Sequence, residues 1–238
     1  MAIIVPLLNE IERLPSLVKE LDQADADKII IVDGGSTDGS AEWLQKNWTQ
    51  PLLDNKKVSD VHRLLINSSA GRAVQMNAGA SHSEQDVLLF LHADTVLPQS
   101  AKSDVCATPL SQDSEYWGRF NVSFDEQTFS MSVIAFFINW RSRLTGVSTG
   151  DQAMFVTRTL FKRVGCFDDI ALMEDVALSK KLRKQVKPSS LNSTVTTSAR
   201  RWKKDGVART VIKMWWYRLA YFLGVSPDCL ANGYRNVR

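Results

Sequence analysis

Residues 28–40 read KIIIVDGGSTDGS: an unbroken β-branched run, then an aspartate, then small and polar turn formers. A strand buried on one face alternates apolar with polar side chains. This run does not alternate, so it predicts a strand buried on both faces, in a parallel sheet covered by helices on either side. The same alternation of elements recurs around it. Ile3–Val5 is a short apolar run closed by Pro6, and Leu14, Leu17, Val18 and Leu21 follow at helical spacing. HRLLI at 62–66 precedes GRAVQMNAGA at 71–80, and DVLLFLHAD at 86–94 is a fourth apolar run. Strands alternating with helices over the first hundred residues predict a doubly wound α/β domain.

The chain has 238 residues, 44% of them hydrophobic and 23% charged, which supports a large core and argues against disorder or repeats. No apolar run approaches the ~18 residues of a membrane span, and MAIIVP carries no basic stretch before its short apolar one. The expectation is a cytoplasmic protein. Cys106, Cys166 and Cys229 are widely spaced and form no C-x-x-C pair, so they read as reduced, mostly buried thiols rather than a disulfide framework or zinc site. The net charge of +3 is unevenly placed: residues 199–238 carry nine Lys and Arg against two acids. Such a tail suits a solvated face, a phosphate site or an anionic membrane surface. Nucleic acid is not expected as a partner, since no helix-turn-helix, zinc-finger or RRM pattern accompanies the charge.

The second half is less regular. WGRFNVSF at 117–124 alternates as a half-buried strand, and SMSVIAFFINWRSRL at 130–144 reads as helix. QAMFV at 152–156 reads as a short strand, and EDVALSKKLRK at 174–184 as an amphipathic helix opened by two acids. No Gly/Ser linker divides the chain.

In a doubly wound sheet, ligands sit beyond the carboxyl ends of the strands. Four polar clusters fall there: PLLNE at 6–10, DGGSTDGS at 33–40, SSAGR at 68–72 and HADT at 92–95. DGGSTDGS matches neither the dinucleotide fingerprint nor the P-loop. Asp33 could accept hydrogen bonds from a base or ribose, while Ser36 and Asp38 could equally hold the turn and cap a helix. Asp94 could cap the next turn or anchor a hard cation, since Mg²⁺ and Mn²⁺ are commonly held by one or two carboxylates with phosphate oxygens and water.

The order IIVPLLNE, IIIVDGGSTDGS, GRAVQMNAGA, LLFLHADT and ALMEDVALSKKLRK resembles the inverting family 2 glycosyltransferases of the GT-A fold, over roughly residues 2–184. Within it the GRAVQMNAGA, LLFLHADT and GDQAMFV wording is similar to a short, stand-alone bacterial subgroup, some members of which are linked to arsenosugar biosynthesis. The resemblance implies a GT-A-like, mostly parallel sheet with helices on both faces and a helical C-terminal extension. Residues 1–198 would form the catalytic domain, with a nucleotide-binding half at about 1–98 and an acceptor half at about 99–198. Residues 199–238 would be a basic aromatic helical tail packed on it.

The implied chemistry is transfer of a sugar from a UDP- or GDP-linked donor to an acceptor hydroxyl with inversion, assisted by Mn²⁺ or Mg²⁺. Pro6 and Glu10 would flank the nucleoside, Asp33 would bind base or ribose, and Arg72 would reach the base or the phosphates. Asp94 matches the last acid of the D-x-D motif and would touch the metal. Asp175 matches the catalytic base, with its neighbour Glu174 as the other catalytic carboxylate. Two positions depart from the pattern: Gly34 stands where a second acid is usual, and His92 replaces the first acid of D-x-D. A neutral imidazole at 92 could donate to a ribose hydroxyl or ligate the metal itself.

Asp151 and Gln152 could bind the sugar or the acceptor, or simply turn the chain into a strand. Arg200, Arg201 and Trp202 match an element that helps close the donor site and are expected at phosphates or acceptor. Trp215, Trp216 and Tyr217 in the following helix suit a membrane surface, with peripheral contact at the inner face of the membrane. Against this, Arg209 and Lys213 share a helix face while Arg218 points roughly opposite, so docking on the domain or homodimerisation through this helix is an equal reading. Two further functions fit less of the sequence. A sugar-1-phosphate nucleotidylyltransferase would need a Gly-rich basic loop after the first strand, where VPLLNEIERL stands. A catalytically weak nucleotide-sugar-binding scaffold is the non-enzymatic alternative, and His92 is the residue that suggests it.

Overall fold

The computed structural model describes residues 1–49, 62–108, 114–227 and 229–231. The first half alternates as the sequence predicts: β1 (Ala2–Leu7), α1 (Leu14–Gln23), β2 (Lys28–Asp33), α2 (Ser40–Asn47), β3 (His62–Asn67), α3 (Arg72–Ser81) and β4 (Val87–Phe90). Next come β5 (Thr95–Val96), α4 (Ala101–Cys106), β6 (Trp117–Phe124), α5 (Phe129–Thr145), β7 (Met154–Thr157) and α6 (Arg158–Arg163). The chain closes with α7 (Glu174–Leu182), β8 (Ser189–Thr197), α8 (Arg200–Asp205) and α9 (Val207–Phe222).

One eight-stranded sheet in the order β3-β2-β1-β4-β7-β6-β8-β5 runs through the molecule. β1, β2, β3 and β4 are parallel, β7 runs antiparallel to β4 and β6, and β8 runs parallel to β6. The unbroken apolar runs have a direct cause. Ile3, Val5, Ile29, Ile31 and Leu89 face a core that holds Leu14, Leu17 and Leu44 of α1 and α2. Ala2, Ile4, Ile30, Val32, Leu88 and Phe90 face a second core with Ala73 and Met76 of α3 and Leu178 of α7. Each strand therefore buries both sets of alternate residues, at roughly 1.5–3 kcal/mol per large side chain.

After β3 the chain returns across β1 to lay down β4, so strand order reverses between β1 and β4. Such a switch point leaves a crevice at the carboxyl ends of the two strands.

Three expectations need correction. The strand expected from 152 starts at Met154, because Gly150–Gln152 forms a 3-10 turn closed by a reciprocal cap between Thr149 and Gln152. β8 was not foreseen: SSLNSTVTT is polar and lacks an apolar run, and its threonines supply the β-branched preference instead. The cysteines are free but not mostly buried. Cys106 and Cys229 are exposed and Cys166 half-buried, with Cys106 at the outer end of α4.

Candidate active site

A cleft of about 300 Å³ opens at the switch point. Pro6, Leu7 and Glu10 at the end of β1, Arg72 and Gln75 of α3, and His92 and Asp94 after β4 line one wall. Gly150, Asp151, Glu174 and Asp175 line the other, with Tyr217 and Arg218 of α9.

The two carboxylates at the start of α7 stand in different surroundings. Glu174 is 2% exposed, and its Oε1 lies 3.2 Å from Arg72 Nε. Burial pushes its carboxyl above the ordinary value, with Arg72 pulling the other way and the charge of Asp175 adding to the rise. Asp175 is only half-buried. Its Oδ2 accepts a 2.7 Å hydrogen bond from Gly150 N, and its Oδ1 accepts one of 2.7 Å from Val176 N. The preceding residue, Met173, is held at φ 67°, in a left-handed conformation that side chains other than glycine adopt at a cost. That backbone turn aims the start of α7 into the cleft.

Across from Asp175, His92 Nδ1 lies 3.5 Å from Asp151 Oδ1. The ring packs against the turn at Gly150, where an added Cβ would stand 2.2 Å from His92 Cε1. Glycine at 150 is therefore the counterpart of histidine at 92. It lets the backbone come close enough for its amide to reach Asp175. Asp94 spends little of its carboxylate on the protein, accepting a 3.4 Å bond from Thr95 Oγ1. The described residues contain no group of three or more His, Cys, Asp or Glu poised around one point. His92 and Asp94 are two oxygen- or nitrogen-bearing side chains on one wall, a set that fits Mg²⁺ or Mn²⁺ completed by phosphate and water.

Several predicted residues lie elsewhere. Asp33 is 2% exposed and turned into its own loop, accepting from Gly35 N and Ser36 N at 2.9 Å each and from Ser36 Oγ at 2.5 Å. Ser36 and Asp38 hold that loop to the one after β1, through Asn9 N at 2.9 Å and Ile11 N at 3.0 Å. Gln152 does not reach the cleft. It is fully buried, donating to Ser142 Oγ at 3.0 Å and accepting from Thr149 N at 3.3 Å, so it braces the Gly150 turn from behind. Trp202 lines the cleft and packs edge-on against Phe124 at 5.7 Å. Arg200 is not among the residues lining the cleft but lies 3.5 Å from Oε2 of Glu10, which is. The side chain of Arg201 lies outside the described residues.

Three residues of the cleft were not singled out from the sequence. Gln75 donates to Leu7 O at 2.7 Å and to Val32 O at 2.8 Å, tying β1 to β2 beneath the pocket. Its amide also fills the space beside Gly34, where a Cβ would meet Gln75 Nε2 at 2.9 Å. The missing second acid and this glutamine are thus two sides of one packing solution. Gly150 is the second residue, legible only once its partner His92 is known. The third is Arg218, on the helix face roughly opposite Arg209 and Lys213. Burial lowers its guanidinium below the ordinary value, against the pull of Asp175 and Asp151. Nearby in charge terms is Arg141, pulled down to about 10 by burial and by Arg218. Its Nε and Nη2 are buried without a hydrogen-bond partner among the described residues.

The fold has counterparts among known proteins. A mannosyltransferase from Pyrobaculum calidifontis, solved with GDP-Man and Mn²⁺, superposes with a TM-score of 0.63 at 16% identity, covering 99% of this chain and 69% of that one. Glucosyl-3-phosphoglycerate synthase from Mycobacterium tuberculosis, solved with Mn²⁺, UDP and glucosyl-3-phosphoglycerate, gives 0.55 at 13% identity, covering 81% and 69%. In sequence, an undecaprenyl-phosphate 4-deoxy-4-formamido-L-arabinose transferase of Salmonella paratyphi B is 30% identical over 102 residues, 41% of this chain and 29% of that one. The chain thus spans less than a third of the length of the curated relatives it matches. The family model described as Glycosyl transferase family 2 matches residues 2–165, from β1 to the end of α6 and so across the switch-point wall. The sheet has the GT-A fold, and a family match over more than half the length means that this chain belongs to glycosyl transferase family 2.

Proposed function

We propose that the chain transfers a sugar from a nucleoside-diphosphate donor to an acceptor hydroxyl with inversion, with Asp175 as the general base. The observation that carries this reading is the position of Asp175: half-buried, in the same cleft as His92 and Asp94, and held by the Gly150 amide. In the reaction the acceptor oxygen forms a bond to the anomeric carbon from the side opposite the diphosphate. The bond from that carbon to the diphosphate oxygen breaks, its electron pair leaves with the nucleoside diphosphate, and the hydroxyl proton passes to Asp175. A sugar hydroxyl is too weak an acid to attack as an alkoxide at neutral pH, so the carboxylate must take the proton as the bond forms.

The nucleoside would lie against Pro6, Leu7 and Glu10, above Gln75, whose remaining amide oxygen is the acceptor left to a base N–H. Domain boundaries near 98 and 198 divide this donor wall from the acceptor wall. A divalent cation would be held by Asp94 and His92 and would neutralise the diphosphate. Without it a carboxylate facing a phosphate at 4 Å costs roughly 1 kcal/mol in water and roughly 4 at an effective dielectric of 20. Neighbours solved with Mn²⁺ and nucleotides favour that assignment. Arg218, beside Asp175, favours an acceptor that carries an anionic group, and the Salmonella relative is named for transfer to a lipid phosphate.

A panel of UDP- and GDP-sugars tests the reading by calorimetry with Mn²⁺ and again with EDTA, followed by NMR of the released sugar. Binding that requires the cation, with the released sugar inverted at its anomeric carbon, is expected. Retained configuration would remove Asp175 as a base acting in a single displacement, and binding undiminished in EDTA would remove the metal.

A further inference from the structure

Among the described residues fourteen large apolar side chains are exposed, and thirteen of them stand on α5, on α9 or just beyond α9. On α5 the exposed positions 129, 133, 136, 140 and 144 repeat every three to four residues, which is one face of a helix. On α9 the positions 212, 215, 216, 219 and 222 do the same. The opposite faces are apolar too: Met131, Ala135 and Ile138 of α5 and Val207, Val211 and Met214 of α9 pack into one cluster with Phe124 and Trp202. A helix apolar on both sides normally lies buried, and exposed apolar patches of this extent mark contact sites.

Charge decides what makes the contact. Residues 129–145 and 207–222 contain no Asp or Glu, and they carry Arg141, Arg143, Arg209, Lys213 and Arg218. Arg218 faces the cleft and Arg141 is largely buried, so the cation that spoiled a simple amphipathic reading of α9 is accounted for on the inner side. The remaining three border the stripes. At about 100° per residue, Arg209 and Lys213 lie within about 60° of Trp216, and Arg143 within about 20° of Phe136. Their stems can cover apolar surface while the heads of Arg209 and Lys213 reach for anions; that of Arg143 is shared with Asn121 Oδ1 at 3.2 Å and Asn192 Oδ1 at 3.4 Å. A second copy of the chain would bring the same cations to the contact, on helices that contain no Asp or Glu. An anionic bilayer offers acyl chains and opposite charge together. No helix among the described residues is long and apolar enough to cross a membrane, so these two would lie along it.

We propose that α5 and α9 form one docking surface for an anionic lipid bilayer, with their aromatic stripes in the interface and Arg209 and Lys213 at the headgroups. The inner face of α9, through Met214, Tyr217 and Arg218, lines the cleft, so the mouth of the site would open beside the bilayer. This goes beyond the transferase reading and stands or falls separately from it.

Flotation of the full chain with vesicles of phosphatidylcholine alone, and with equal parts phosphatidylcholine and phosphatidylglycerol, tests the proposal. Binding to the anionic vesicles, weakened by salt and accompanied by a blue shift of tryptophan fluorescence, is expected. Trp215→Ser with Trp216→Ser, and Phe136→Ser with Phe137→Ser, should each lower the partition constant by about tenfold or more. Arg209→Gln with Lys213→Gln should do so by about tenfold or more, at unchanged melting temperature, and decides the matter should an aromatic pair prove to destabilise the fold. Absence of flotation by a chain that still binds donor and Mn²⁺ overturns the proposal and leaves the transferase reading intact. A concentration-dependent dimer that the aromatic substitutions dissociate, without any vesicle binding, assigns the surface to a second copy and also overturns it.

Discussion

The two walls of the cleft are built by opposite means. The first is the ends of parallel strands, where Pro6 is held in register with Val32 and His92 and Asp94 follow directly on β4, in a turn closed from Thr95 N to His92 O. The second is the edges of helices and a 3-10 turn, where Gly150, Asp175 and Arg218 come from three distant segments and meet only through packing. A strand end delivers its residue by local geometry, so a short motif announces it. A helix delivers about one side chain per turn to any given face, and which face that is depends on its neighbours.

The most damaging expected change falls on the helical wall. Asp175→Asn keeps the shape of the side chain but has one acceptor oxygen where two are used, so it forfeits one of the bonds from Gly150 N and Val176 N, about 1 kcal/mol. If Asp175 is the base, turnover falls by about 10² to 10⁴, equivalent to roughly 3–5 kcal/mol of barrier. Single-turnover transfer alongside thermal melting separates the two effects. Near-normal transfer in this variant, with loss in Glu174→Gln, would reverse the roles of the pair.

On the strand wall the largest expected loss is in stability. Gln75→Leu removes the side-chain donor to the carbonyls of Leu7 and Val32, and since Leu7 O keeps its 2.9 Å bond from Gly34 N the loss is about 0.5–1.5 kcal/mol per bond. Denaturant unfolding should show the loss, with an unchanged dependence on denaturant concentration if the fold is otherwise kept. Losses well below 1 kcal/mol would mean that water reaches those carbonyls, and the donor wall would then be looser than its hydrogen bonds imply.

Gly150→Ala tests the seam where the walls touch. A Cβ 2.2 Å from His92 Cε1 forces the ring or the loop aside, at about 1–3 kcal/mol. His92→Ala made together with it should recover most of that loss, since the obstruction is then gone. Without recovery, the loop itself cannot accept a side chain, and the pairing of His92 with Gly150 is incidental.

The sequence was a good guide to the buried strands and to the motif-borne residues of both walls, and a poor one to residues placed by packing alone. Apolar runs at 28–33 and 87–91 report burial on two faces because each alternate residue enters its own core. The polar strand at 189–197 carried no such signal, and its burial became clear only beside β6. Motif matching brought Pro6, Glu10, Arg72, His92, Asp94, Glu174 and Asp175 to one cleft. Two other candidates lie outside it: Gln152 points inward to Ser142, and the carboxylate of Asp33 is engaged by its own loop. Arg218 was read as pointing opposite Arg209 and Lys213 but not assigned to the site, because helical spacing alone does not say what that face meets. Only the packing of α9 against the cluster of Phe124 and Trp202 turns it toward Asp175.

The smallest effect expected concerns pH, and it probes why two adjacent acids on the helical wall differ. Burial raises the pKa of Glu174 in the folded chain above the ordinary 4.5, more than Arg72 lowers it. A carboxyl with a raised folded pKa binds its proton more tightly in the folded state than in the unfolded one. Its contribution is therefore most favourable below the unfolded pKa, is lost as pH rises through the folded one, and stays lost above it. Glu174→Gln has no proton to release, so its stability relative to the parent should climb with pH across the acid range and then level off. Arg72 gives up one partner in that variant, but it is about a third exposed and can be solvated. Melting temperatures of both proteins across the acid-to-neutral range are the measurement. A variant less stable than the parent at neutral pH would show that the Arg72 ion pair outweighs the burial of the charge. Glu174 would then be a fully ionised neighbour repelling Asp175, and the division between one acid withdrawn into the protein and one held ready in the cleft would have to be redrawn.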